Sequence, residues 1–140
     1  MKLWDHLVEG EGTEHRRGKQ AAIAWLKAQG FDAEPEQVIP GLTRRPDVWG
    51  KRQDGAAPSD PALKDVDEVV IEVEGDLSPG SSATHAQEQM KAFTGWAGKG
   101  DRRLAILLVP KGNCSEAQNV LPLYPVHLQF ARDGTVTPCD

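Results

Sequence analysis

The 140-residue sequence predicts an α/β fold in which a mixed central β-sheet is flanked by α-helices. Three observations carry that expectation. Residues Thr13 to Gln29 have the apolar spacing of a helix. Two strand-like runs then flank Pro40-Gly41 and read as an antiparallel hairpin. Later in the chain strands alternate with helices, and such crossovers join parallel strands. The chain lies within the usual size of one domain, so residues 1–140 are read as a single unit.

The elements follow in order. Leu3, Trp4, Leu7 and Val8 recur at helical spacing and predict a short opening turn or helix, ended by Gly10 and Gly12. Thr13 is placed to cap the first long helix, with Glu14 in its first turn and Gly30 at its stop. Ala21-Ala22-Ile23-Ala24-Trp25-Leu26 makes a wide apolar arc, which predicts packing on a sheet. Phe31 to Ile39 and Thr43 to Trp49 are the hairpin strands. Residues 50–64 are rich in Lys, Asp, Gly, Ala and Pro and read as a long exposed loop. Val69 to Glu74 is the third strand, broken by Gly75 to Gly80. Ser81 or Ser82 then caps a helix to Trp96, whose stripe is Ala86, Met90 and Phe93. Leu104 to Val109 is apolar throughout, as in a strand buried on both faces. Ser115 to Val120 reads as a short helix and Tyr124 to Phe130 as a last strand.

Chemistry concentrates on two of these strands. Arg45-Pro46-Asp47-Val48-Trp49 ends one, and Val69-Val70-Ile71-Glu72-Val73-Glu74 is the other. Strand side chains alternate between faces, so Glu72 and Glu74 share one face while Val69, Ile71 and Val73 fill the opposite one. Buried charges need a partner or a metal, and clustered carboxylates suit hard divalent cations such as Mg²⁺.

A net charge of −5 argues against a protein that coats nucleic acid, yet leaves room for a local basic patch. Arg16, Arg17, Lys19, Arg44, Arg45, Lys51 and Arg52 fall near the ends of the acid-bearing elements and are candidates to receive phosphates, or ordinary surface charge. Cys114 and Cys139 are too few for a disulfide framework and read as reduced thiols. No signal-type apolar core and no membrane-length run is present, so a cytoplasmic protein is expected. His85 reads as a surface histidine or a phosphate contact, while His6, His15 and His127 show no metal-ligand spacing with the cysteines. Trp49 and Trp96 are expected in the core, with stacking on bases as the alternative.

The ordered series Glu14, Pro46-Asp47, Glu72-Val73-Glu74 and Gln89-Met90-Lys91-Ala92-Phe93 resembles the PD-(D/E)xK nuclease superfamily, which has the restriction-endonuclease-like fold with α-β-β-β-α-β order. The resemblance spans roughly residues 13 to 110 of a mixed α/β unit. It implies a DNA nuclease, with RNA as the alternative substrate, that uses Mg²⁺ or Mn²⁺. Asp47, Glu72, Glu14 and Glu74 would be the metal ligands, with the carbonyl of residue 73 as a further oxygen. Gln89 matches a Q-x-x-x-Y element in which Phe93 replaces the tyrosine. Glu74 stands where the family pattern has lysine, and Lys91 is the candidate replacement. Homodimers or larger complexes are also implied. Two rivals accompany this reading: an inactive nuclease-fold module that binds protein or nucleic acid, and a structural assembly subunit.

Overall fold

The computed structural model describes residues 12–75, 81–120 and 126–139; the proposed opening helix around Leu3 to Val8 lies outside them. Helix α1 (Thr13–Ala28) forms where its pattern places it, with Glu14 in the first turn and Lys27 in the last, as the helix dipole favours. Gly12, and not Thr13, is the N-cap, and no side chain caps the helix. Gly30 takes φ +88°, a left-handed turn that glycine makes without steric cost, and leads into β1 (Phe31–Pro35).

The remaining elements are β2 (Val48–Arg52), a 3₁₀ turn (Pro61–Leu63), β3 (Glu68–Val73), α2 (Ser81–Gly98), β4 (Arg103–Pro110), α3 (Cys114–Val120), β5 (His127–Phe130) and β6 (Val136–Pro138). The side chains of Ser81 and Ser82, proposed caps of α2, lie outside the described part. The six strands lie in sequence order across one sheet. β3–β4 and β4–β5 are parallel, whereas β1–β2, β2–β3 and β5–β6 are antiparallel. The expected mixed sheet flanked by helices is therefore present, in an arrangement consistent with the restriction-endonuclease-like fold. Among the described residues no helix is long and apolar enough to cross a membrane.

Several boundaries differ from expectation. β1 stops at Pro35 because Glu36, at φ +48°, bends the chain away from the sheet. The ladder ends with Glu36 N donating to Asp47 O, and Pro46 has no N–H to extend it, so β2 begins at Val48 and not at Thr43. β2 runs on to Arg52, into the stretch expected to be loop. That loop is also pinned. Arg52 donates to the carbonyls of Ala56 and Lys64, Gln29 Oε1 accepts from the amides of Ser59 and Asp60, and Leu63 is fully buried. β6 has no counterpart among the expected strands; it is short and two of its three residues are exposed.

The cysteines also depart from expectation, because Cys114 and Cys139 form a disulfide. β6 folds back antiparallel on β5, and Cys139 N donates to His127 O. This brings the chain's end to the start of α3, with Cα atoms 5.6 Å apart, within disulfide reach.

Two apolar cores lie on opposite faces of the sheet. On the α1 face Ala22 and Leu26 pack with Phe31, Val48, Ile71, Val73, Ile106 and Phe130. On the α2 face Met90, Phe93 and Trp96 pack with Val70, Ala105 and Leu107. α1 approaches so closely at Gly18 that an added Cβ would overlap Val73 Cγ1 and lie 2.9 Å from Phe130 Cε1. This contact seats the first turn of α1 at the C-terminal end of β3, where the acids are.

Candidate functional site

The site grows from the alternation of β3. Val69, Ile71 and Val73 face the α1 core, while Val70 and Glu72 alternate with them toward α2. The β2–β3 register pairs Val48 with Ile71, and continuing it by one residue sets Asp47 across from Glu72. Both acids are buried: Asp47 is 9% exposed and Glu72 4%.

Each has distinct support. Asp47 Oδ2 accepts from Val73 N at 2.7 Å and lies 3.1 Å from His15 Nε2 of α1. Glu72 Oε2 accepts from Gln89 Nε2 at 3.3 Å, and Gln89 Oε1 in turn accepts from Arg44 Nη1 at 2.8 Å. Among the described residues, Glu72 Oε1 is buried and has no hydrogen-bond partner. A buried carboxyl oxygen left unpaired is costly.

The two carboxyls are driven apart in acidity. Burial pushes Asp47 upward, but the His15 imidazole, by hydrogen bond and charge, and the Val73 amide outweigh it and hold the carboxyl below its ordinary value. Glu72 goes the other way. Burial, then the Asp47 charge and contact, then the Glu74 charge push it well above its ordinary value, and the Gln89 hydrogen bond offsets only part of that. Without a cation the pair therefore favours an ionised Asp47 beside a protonated Glu72.

Beyond the end of β3, Glu74 N donates to Leu108 O, which holds the half-buried Glu74 beside β4. One ligand atom each from Glu72, Glu74 and His85 lie within 4.8 Å of one another. These residues fit a metal ion: two carboxylates and an imidazole converge, and one buried carboxyl oxygen lacks a partner. This group could hold a cation.

The six residues expected from the sequence are thus placed differently. Asp47, Glu72, Glu74 and Gln89 come together at the end of β3. Glu14 is exposed and pairs with Arg17 at 3.7 Å, in a pocket shared with Lys111 and Arg132; its Cβ is 3.5 Å from where a Cβ on Gly75 would stand. Lys91 is exposed and lines a separate groove with Arg44, Trp96 and Lys99.

Two residues at the site lay outside the sequence-derived set. His15 is the α1 side chain that touches Asp47, and His85 joins the acids from α2. His85 had a readable signal, since it stands one turn before Gln89 on the same helical face. His15 had none beyond sitting next to Glu14.

The class that these features define is an α/β protein whose mixed sheet carries, at the end of its third strand, an acidic group that could hold a metal ion. Within that class, the model of the family "Competence protein CoiA, nuclease-like domain" matches residues 11–57, a segment that holds α1, β1, β2, His15 and Asp47. The match points to a nuclease-like family. No curated protein and no solved structure matches the chain.

Proposed function

We propose that the protein is a divalent-metal-dependent DNA nuclease of the PD-(D/E)xK type. The observation that carries this reading is the buried Asp47–Glu72 pair with its unpartnered Glu72 oxygen, beside Glu74 and His85. The family match over residues 11–57 supports it.

Asp47 and Glu72 are the principal ligands of this reading, with Glu74 and His85 completing the set. A bound divalent cation would supply Lewis acidity and a water of lowered pKa. The chain's own residues prepare that position. The Val73 amide and His15 fix the Asp47 carboxylate. Arg44 orients Gln89, and Gln89 orients Glu72. Glu74 is less buried than Glu72, so its carboxylate is placed to accept a hydrogen bond from water entering the cleft. The imidazole in the set favours Mn²⁺ over Mg²⁺, because nitrogen donors suit transition metals better than Mg²⁺.

The test is cleavage of labelled single- and double-stranded DNA with Mg²⁺, Mn²⁺ or EDTA. Asp47→Ala is expected to lower metal-dependent cleavage by more than about a hundredfold, beyond the usual cost of losing a residue that only supports a ligand. No cleavage by the parent under any metal would sink the enzyme reading. It would favour the rival, a non-catalytic nuclease-fold module, for which Glu74 in place of the motif lysine already speaks.

A further inference from the structure

A second feature lies on α2, away from the acids. Leu42, Arg44, Lys91, Trp96 and Lys99 line an open groove between the loop before β2 and the flank of α2, with a volume of about 430 Å³. Glu88 is its acidic member and lies 3.8 Å from Arg44 Nη2. Among the described residues neither Lys91 nor Lys99 has a carboxylate within ion-pair distance, so the groove carries uncompensated positive charge on a chain of net charge −5.

Trp96 is 4% exposed, and among the described residues its buried Nε1 has no acceptor. The Cδ1 next to that nitrogen is 4.0 Å from where a Cβ on Gly41 would stand, so this edge of the indole looks toward the loop that walls the groove. The ring face is already used, with the Arg103 guanidinium stacked 4.6 Å from its centre. The groove thus offers the Arg44 guanidinium and two ammonium groups that have no carboxylate partner among the described residues, a donor set that selects an oxyanion.

The groove is also joined to the acidic site. Arg44 lines it and at the same time donates to Gln89, which donates to Glu72. The geometry points to a phosphate-binding track: the groove holds the phosphodiester backbone of a nucleic-acid strand whose next segment lies over the Glu72 cleft. This rests on the nuclease reading for the identity of the polyanion. It gives Lys91 the role of a phosphate contact, set apart from the metal.

The experiment is equilibrium binding of a fluorescein-labelled oligothymidylate, followed by anisotropy against salt concentration with EDTA present, so that cleavage and metal binding play no part. Lys91→Ala/Lys99→Ala is expected to weaken binding and to reduce the magnitude of the log–log salt slope by about 1.4, roughly 0.7 for each lost single-strand phosphate contact. The same charge change at Lys27 and Lys64, which are exposed elsewhere, is the control and should leave the slope near the parent's. An unchanged slope in the double variant, or an equal fall in the control, overturns the proposal. A slope change in a protein that cleaves nothing would leave the track standing while the nuclease reading falls. Cleavage with an unaffected slope would do the reverse.

Discussion

The two faces of the sheet do the same structural job and end differently. On the α1 face the apolar core is continuous along β3 through Val69, Ile71 and Val73, and the helix is so close at Gly18 that a methyl group has no room. On the α2 face Val70, Met90 and Phe93 make a comparable core, which stops one alternation later at Glu72. One face is closed with carbon; the other exchanges its last apolar position for a carboxyl lacking a full set of hydrogen bonds. A strand makes both possible because neighbouring residues look in opposite directions. The difference leaves a buried acid at the point where sealing is given up.

The largest effect should come from the α2 core itself. Phe93 is fully buried, and Phe93→Ala is expected to cost about 3–5 kcal/mol in a denaturant titration, through lost burial and the cavity left behind. A loss below about 1 kcal/mol, the scale of a surface change, would mean that the α2 face is not a core comparable to the other.

The closed face should fail by the opposite mechanism. Gly18→Ala adds a methyl group against Val73 and Phe130 and is expected to destabilise by about 1–3 kcal/mol, despite alanine's better helix propensity. Because α1 carries His15, this variant should also disturb Asp47, read as a change in the pH dependence of stability in the acid range. A neutral or stabilising outcome would show that α1 is free to lift, and the contrast between the faces would weaken.

The smallest effect, and the sharpest for the comparison, concerns Glu72. Its folded-state pKa lies above its ordinary value, so the folded form prefers it protonated. Stability from this group is fully present below the ordinary glutamate pKa and declines as pH rises toward the raised folded value. Glu72→Gln removes that decline. In EDTA the variant is expected to exceed the parent's stability at neutral pH, with the gap closing in acid. Asp47 has the opposite sign: its depressed pKa contributes stability that is lost as pH falls through the folded value, and this acid limb should persist in Glu72→Gln. Adding Mn²⁺ should raise the melting temperature of the parent and not of the variant, since only a ligand held by the folded state stabilises it. Equal stability of the two proteins across pH would remove the idea that Glu72 is strained without a cation.

Much of this architecture was legible from local pattern. The 3.6-residue period located α1 and the stripe of α2, and the two-residue period of β3 put Glu72 opposite in sense to Ile71 and Val73. Periodicity is a property of neighbouring residues, so it survives without knowledge of the rest of the chain. Strand ends were less legible. β2 begins where β1 can pair with it, and β1 ends where Glu36 turns left-handed, neither of which the run Thr43 to Trp49 records.

Contacts between distant segments were beyond local pattern. The count of two cysteines pointed to reduced thiols, and only the β5–β6 hairpin brings Cys139 to Cys114. Glu14 and His15 are adjacent in the sequence, yet the rotation of α1 set by Gly18 turns His15 to Asp47 and leaves Glu14 with Arg17. By itself the sequence determined the element types, the burial alternation and the acidic strand, because those follow from local spacing and side-chain chemistry. Tertiary structure alone decided which histidines meet the acids, which carboxyl is left short of partners, and that Lys91 faces a groove and not the acidic cluster. Those outcomes depend on how whole elements dock, and docking is set by close contacts among residues far apart in the chain.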